Sequence, residues 1–474
     1  MQVIKNYLYN AGYQILLMFA PIITTPYISR VLGPHASGIN SYTNGWVTFF
    51  CLIGQLGITL YGNREVAYHR DDKFERSRVF WGIELLQLGT ICLSLLAYLT
   101  VVLLFSSTFK VFYLLQTFWI IAAGLDVSWY FMGMEDFKKT VVRNTIVKLI
   151  SICLIFVVVK QESDLWKYIL LLGLAQVGGN ITLWPYLRDS IQWVAPKYWK
   201  PFKHLYPSLI LFIPTITTQV YLVVNKLMLG RIGAQDALGQ FDYADKIVKL
   251  VLAIVTATGT VMLPHVANKF AKGDVKGVRQ SLYNSFEFVT ALAVPMMFGL
   301  MAVAKKFAPW FLGEKYVPTG TIMFIEAPVI LFIAWSNVIG TQYLMPVKRV
   351  NEFTASVTAG AITNIVLNFL LIPRYTANGA AIATVIAEFA VAAVQLQCVR
   401  TTIRRRDLFR NIWRYLLPGG LMSWVVYHIS EMMSMNIINL AFQAAVGIII
   451  YVLGIIMLKA PIVDQAKQIL SKGK

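Results

Sequence analysis

The chain has 474 residues, of which 57% are hydrophobic and only 14% are charged, and its mean hydropathy is +0.62. This composition excludes a water-soluble multidomain protein and predicts an integral membrane protein, because a helical span needs about 20 apolar residues. A formal charge of +19 would suggest nucleic acid as the partner of a soluble protein, but most basic residues lie between hydrophobic runs, so we expect no nucleic-acid partner.

Apolar runs bounded by charge, proline or glycine predict about fourteen transmembrane helices. In chain order, the predicted spans are centred near Leu17, Cys51, Cys92, Ile120, Cys153, Leu172, Thr215, Ile254, Ala293, Leu331, Val366, Ala387, Trp424 and Ile448. All connections are short, so the expected fold is an all-α polytopic membrane protein. The four cysteines lie within apolar runs and lack metal-ligand spacing, so we expect neither a disulfide framework nor a metal site.

Basic residues are distributed unevenly over the connections. With the N-terminus placed in the cytoplasm, the connections on that side and both termini carry 28 Lys and Arg, whereas the opposite connections carry 9. This bias predicts that both termini are cytoplasmic. We attribute the cytoplasmic basic clusters to topology and anionic lipid rather than to catalysis.

A short signal, in which a helix end is followed by a turn and the next span, occurs twice. The first copy is Leu32-Gly33, Gly38 and Tyr42, and the second is Leu229-Gly230, Gly239 and Tyr243. Each copy opens a block of about six predicted spans, and such doubling is typical of transporters whose two bundles enclose a midplane cavity. We therefore predict an N-lobe at 1–195, a C-lobe at 196–400 and a C-terminal helix pair at 401–474.

Ionisable residues inside the predicted spans mark a candidate binding site, because each costs roughly 3 kcal/mol at the bilayer centre. The clearest set is Asp242, Asp245, Lys246 and Lys249, whose spacing places them on one helical face. Both i, i+4 pairs have the favourable acid-before-base order, so self-neutralisation is one interpretation and the wall of a polar cavity is the other.

Further cations are embedded in other spans, namely Arg30, Arg64, Lys148 and Lys226. Arg30 and Arg64 alone could reach an interface by snorkelling. Taken with Lys246 and Lys249, however, these residues predict a cationic chamber that attracts a large anion.

Embedded carboxylates are candidates for coupling a proton or a sodium ion. They are Glu84, Glu287, Glu326 and Glu388, together with Asp126, Asp242 and Asp245, which we single out as coupling or cavity acids. Each could equally pair with a nearby cation or backbone group. In the first span, Pro21 and Pro26 predict a helix that flexes.

The stretch from Leu125 to Phe137 reads LDVSWYFMGMEDF and is followed by Arg143-Asn144. This block resembles the signature of the polysaccharide-transport flippases of the Wzx type, in the superfamily that also holds multidrug exporters and the lipid II flippase. Further matches in the expected order are RVLG at 30–33, NKLMLG at 225–230, YADK at 243–246, GTVMLP at 259–264, NFLLIP at 368–373 and GAAIAT at 379–384.

The resemblance implies two six-helix lobes plus a terminal helix pair in the plasma (inner) membrane of a bacterium. It implies that the substrate is an undecaprenyl-diphosphate-linked oligosaccharide repeat unit, moved from the inner to the outer leaflet by alternating access for a capsule, an exopolysaccharide or another surface polymer. A polysaccharide polymerase and chain-length machinery are implied partners besides the lipid bilayer. The family's cationic cavity residues match Arg30 and Lys246 by motif.

Three positions depart from the family pattern. Asn225 stands where many relatives have Asp, His265 where Arg is commoner, and Thr376 where Gly is usual. We expect these departures to change local electrostatics or ion use rather than the fold.

Residues and resemblance together predict that Arg30, Lys246 and Lys249 hold the diphosphate headgroup, with Arg64, Lys148 and Lys226 as further candidates. We expect no catalytic residue and no cofactor. Since the chain has no GxxxxGK[ST] loop, membrane potential or a proton or sodium gradient would supply the energy.

Two alternatives remain at this stage. A cation-coupled multidrug exporter on the same scaffold would use embedded carboxylates, but the first span contains no acid. A membrane glycosyltransferase or polymerase would need catalytic groups on a sizeable external loop, and the connections are too short for one.

Overall fold

The computed structural model describes residues 2–105, 108–257 and 259–465. These residues form helices, turns and loops without a β-strand, which confirms the predicted all-α fold. The α-helices, in chain order, are α1 (Gln2–Gln55), α2 (Ile58–Tyr68), α3 (Lys73–Phe105), α4 (Lys110–Gly124), α5 (Ser128–Gly133), α6 (Phe137–Val158), α7 (Leu165–Ile181), α8 (Leu187–Ser190), α9 (Phe202–Arg231), α10 (Gln235–Thr256), α11 (Gly259–Ala271), α12 (Val275–Leu312), α13 (Val317–Glu326), α14 (Val329–Ser336), α15 (Val350–Cys398), α16 (Arg405–Phe409), α17 (Trp413–Met432) and α18 (Ile437–Met457).

The two longest helices each contain two of the predicted spans and break between them. In α1 the break is at Gly33, with φ 70° and ψ 175°, and the helix continues through Pro21 and Pro26. In α15 it is at Thr376, with φ 47° and ψ −123°. Positive φ suits glycine and strains a β-branched residue, which explains why glycine is usual at the position that Thr376 occupies.

The chain is a multi-pass membrane protein. Among the described residues, seven helices are long and apolar enough to cross a bilayer, and the bent pair formed around α13 and α14 would be an eighth. All the predicted span centres lie within described helices. Large apolar side chains such as Leu93, Val157 and Ile448 are exposed on the outer surfaces of their helices, as lipid-facing residues are. The predicted total of about fourteen spans is consistent with this helix order.

Two compact units divide the chain, the first ending at Gly239 and the second beginning at Gln240. In unit 1, α1 packs against α3, α4, α6 and α9. In unit 2, α12 packs against α13, α14 and α17, and α17 packs against α18. The lobe boundaries predicted from the repeat, at 195 and 400, stay a prediction.

The glycines of the repeated signal explain a close approach within unit 1. A Cβ atom on Gly38 would lie 1.8 Å from the carbonyl oxygen of Gln235, and one on Gly239 would lie 2.0 Å from that of Pro34. A Cβ atom on Gly230 would lie 2.1 Å from the ring of Tyr42. The two turns therefore contact each other through glycine, because any larger side chain would separate the backbones.

Candidate substrate-binding residues

The charged face of α10 carries both predicted ion pairs. The Nζ atom of Lys246 lies 2.5 Å from Oδ2 of Asp242, and that of Lys249 lies 2.6 Å from Oδ2 of Asp245. Both aspartates are buried, whereas the lysine side chains are 50% and 40% exposed. Lys246 also lies over the ring of Tyr243, 4.9 Å from its centroid. This face therefore has buried carboxylates paired with lysine side chains that are about half exposed.

A further buried acid belongs to this group. Glu326, the last residue of α13, is 1% exposed, and its Oε2 has no hydrogen-bond partner among the described residues. It interacts electrostatically with Asp245 and Lys249. The sequence identified Glu326 as an embedded acid but not as a neighbour of α10, because no spacing rule links residues about eighty positions apart.

The other predicted cations lie on four separate helices of unit 1. Arg30 is exposed in α1, three residues before the break at Gly33. Arg64 is exposed in α2, with its guanidinium carbon 5.8 Å from the ring centroid of Tyr61. Lys226 is half-buried in α9, beside the buried Asn225.

Lys148, in α6, is half-buried. It shares a helical face with Ser151 and Ile155, both of which are buried. Because α6 packs against α1, this face directs Lys148 toward the interior of unit 1 rather than toward lipid. The side chain of His265, which departs from the family pattern, lies outside the described residues.

The contacts of Asp126 are those of a turn. Its Oδ1 accepts a hydrogen bond from the backbone N–H of Ser128 at 2.9 Å, and its carbonyl oxygen accepts one from Gln87 Nε2 at 3.0 Å. These bonds hold the start of α5 against α3. A coupling role for Asp126 stays a prediction.

The rest of the LDVSWYFMGMEDF block anchors α5. The indole of Trp129 stacks on Phe80 with ring centroids 5.6 Å apart and donates to Gln87 Oε1 at 3.1 Å. At the end of the block, Glu135 pairs with Arg70 at 3.0 Å, and the hydrogen bond and charge of Arg70 lower the pKa of Glu135. The signature is thus explained by packing and turn geometry.

Other embedded acids differ in their surroundings. Glu287 accepts hydrogen bonds from Asn411 at 3.0 Å and Tyr415 at 2.7 Å, which ties α12 to the α16–α17 region. Glu84, in α3, is 1% exposed, and neither carboxylate oxygen has a hydrogen-bond partner among the described residues. Glu388 is buried in α15.

Comparison with known proteins identifies the family. A family model described as "Polysaccharide biosynthesis protein" matches residues 3–269, which is more than half of the chain. The chain belongs to this family. A second model, for the lipid II flippase MurJ, matches residues 140–446. The two family models and the curated relatives support a Wzx-type flippase, and they describe transporters rather than enzymes.

Curated relatives and solved structures similar to the chain are known. The chain is 24% identical over 407 residues to a putative O-antigen transporter of Escherichia coli K12, covering 84% of this chain and 96% of the relative. Its fold is similar to a lipid II flippase MurJ in an inward closed conformation, with a TM-score of 0.72, 16% identity and coverage of 97% of this chain and 100% of that one. An inward-facing multidrug transporter of the MATE family gives a TM-score of 0.63 at 12% identity, covering 82% of this chain and 96% of that one.

Proposed function

We propose that this protein is a flippase that moves undecaprenyl-diphosphate-linked oligosaccharide repeat units from the inner to the outer leaflet of a bacterial plasma membrane by alternating access. The observation that carries the proposal is the face of α10, where two half-exposed lysine side chains pair with buried carboxylates. The names of the curated relatives, an O-antigen transporter and a lipid II flippase, support a glycan carried on a lipid.

The chemistry of the α10 face suits a diphosphate. An ammonium group has three N–H donors, and the bond from Lys249 to Asp245 uses one of them. The remaining donors can bind phosphate oxygens in charge-assisted hydrogen bonds, which are about twice as strong as neutral ones. The aspartates orient the lysines in the absence of substrate, and the lysines in turn compensate the charge of the two buried carboxylates.

The remaining cations extend this proposal. Arg30 is its main member in unit 1, because its guanidinium can bind a phosphate through two parallel hydrogen bonds. Arg64, Lys148 and Lys226 are further candidates for headgroup binding. The energy source is proposed to be the membrane potential or a proton or sodium gradient, with Asp126, Asp242 and Asp245 as the candidate coupling acids. We also propose cytoplasmic termini and the surface-polymer polymerase and chain-length machinery as partners.

A reconstituted transport assay tests the proposal. Proteoliposomes carrying the undecaprenyl-diphosphate-linked repeat unit would be assayed for movement of the glycan to the opposite leaflet, with a membrane-impermeant glycan-modifying enzyme as readout. We expect Arg30→Ala and Lys246→Ala to abolish transport and the exposed-loop control Lys272→Ala to retain it. Full transport by Arg30→Ala and Lys246→Ala would refute the headgroup assignment.

A further inference from the structure

Unit 1 contains an aromatic cavity whose lining includes none of the residues proposed above to bind the headgroup. It encloses about 900 Å³, and α1, α3, α4 and the turn between α9 and α10 form its walls. Aromatic residues make up six of the fourteen described residues that line the cavity, including Tyr42, Trp46, Phe50 and Tyr113. Its volume falls in the range that holds a ligand of several rings.

The rings are arranged edge to face rather than in parallel stacks. Tyr42 lies edge-on to Tyr113 at 6.3 Å between centroids, and Phe50 lies edge-on to Tyr98 at 5.3 Å. Tyr98 and Tyr113 are buried, whereas Tyr42, Trp46 and Phe50 are partly exposed and supply apolar ring surface to the cavity. The C–H face of a pyranose stacks on surfaces of this kind.

A buried polar group in the wall requires a donor. Gln235 is 5% exposed and lines the cavity, and its Nε2 donates to the carbonyl oxygen of Gly230 at 3.1 Å. Its Oε1 is also buried and has no hydrogen-bond partner among the described residues. An acceptor buried without a donor is costly, so a ligand hydroxyl would bind favourably once the Gln235 amide turns its Oε1 toward the cavity.

Besides the tyrosine hydroxyls, the other polar side chains of the wall are those of His35, Thr108 and Arg231, and the described lining includes no carboxylate. His35 pairs with Asp236 at 3.3 Å just outside the lining. A hydrocarbon chain would leave Oε1 of Gln235 without a donor, and the described lining offers a cationic ligand no carboxylate. A neutral or acidic ligand rich in hydroxyl groups fits both features.

We propose that the aromatic cavity binds the sugar residues of an oligosaccharide. The identification of that glycan as the transported repeat unit rests on the proposed function. By the predicted orientation, Arg231 and the connection before Lys110 lie on the outside, so the cavity receives the glycan on the side where translocation ends.

The test uses the lipid-free repeat-unit oligosaccharide, released by mild hydrolysis from the surface polysaccharide of the strain that encodes the chain. With the full-length protein in nanodiscs, saturation-transfer NMR should show transfer from aromatic protons to sugar ring protons. Trp46→Leu should weaken binding about tenfold, as expected for the loss of one aromatic contact, and Gln235→Leu should weaken it in the same direction. The control Trp166→Leu, which alters a separate groove between α6 and α7, should leave binding unchanged.

No saturation transfer with the wild-type protein, or equal binding by Trp46→Leu and Trp166→Leu, would overturn the proposal. This outcome is distinguishable from failure of the flippase function, because the probe carries no diphosphate. Transport without probe binding would refute the glycan cavity alone. Probe binding without transport would refute the flippase function and leave the cavity in place.

Discussion

The close contact between the two copies of the repeated signal makes a specific prediction for Gly38→Ala. The added methyl would lie 1.8 Å from the carbonyl oxygen of Gln235 and 2.7 Å from its carbonyl carbon. Since both are backbone atoms, no side-chain rotation relieves the overlap, and α1 must move away from the start of α10. Overpacking of this kind costs about 1 to 3 kcal/mol, against a gain of about 1 kcal/mol from replacing a helical glycine by alanine.

Gly89→Ala is the matched control. Gly89 also lies within a helix, α3, but a Cβ atom there would meet nothing within 4 Å. Alanine at this position should therefore show only the propensity gain, so the two variants should differ by about 1 to 3 kcal/mol. Thermal unfolding of both variants in the same detergent measures the difference. Equal melting temperatures would refute the glycine contact, and Gly239→Ala should destabilise in the same direction as Gly38→Ala.

Further predictions concern a charged turn, a strained residue and the signature block. Hydrogen bonds from Lys167 and from backbone N–H groups lower the pKa of Asp164 in the folded protein. The stability that Asp164 contributes is therefore present above its unfolded pKa of about 4 and is lost as the pH falls through its lower folded pKa. Asp164→Asn should flatten this acid dependence in melting curves recorded over a range of pH. Thr376→Gly should stabilise the protein by about 1 to 2 kcal/mol in thermal unfolding, and a loss of stability would contradict the strain at φ 47°. Trp129→Phe removes the donor to the buried Gln87 Oε1 and should cost about 1 to 3 kcal/mol, whereas unchanged stability would show that this hydrogen bond is unimportant.

Local patterns in the sequence predicted much of the helical architecture. The span centres lie in helices because runs of apolar residues have no other stable state in a bilayer. The two ion pairs of α10 form because i, i+4 side chains are neighbours on any helix. Neither inference depends on how distant segments pack.

Features that depend on tertiary packing were harder to predict. The sequence pointed to Pro21 and Pro26 as the places where the first helix flexes, and the observed break is at Gly33. Positive φ at a glycine redirects the chain, whereas the helix accommodates both prolines. The hydrogen bond from the Ser128 N–H to the Asp126 carboxylate belongs to a turn that only the folded chain defines, and the coupling role of Asp126 stays a prediction. The approach of Glu326 to Asp245 and the aromatic cavity likewise join residues far apart in sequence.

Headgroup recognition by the α10 face requires a test that keeps the charges of this face balanced, because removing Lys246 alone takes away the ammonium group 2.5 Å from the buried Asp242. The double variant Asp242→Asn with Lys246→Gln removes the cation while keeping the pair neutral, and Lys272→Gln is the surface control.

The most direct test is the affinity of undecaprenyl diphosphate, without sugars, for the protein in nanodiscs. The double variant should bind roughly tenfold to a hundredfold more weakly than the wild type, as expected for the loss of charge-assisted hydrogen bonds, and Lys272→Gln should bind normally. Equal affinity of the double variant and the wild type would contradict the account.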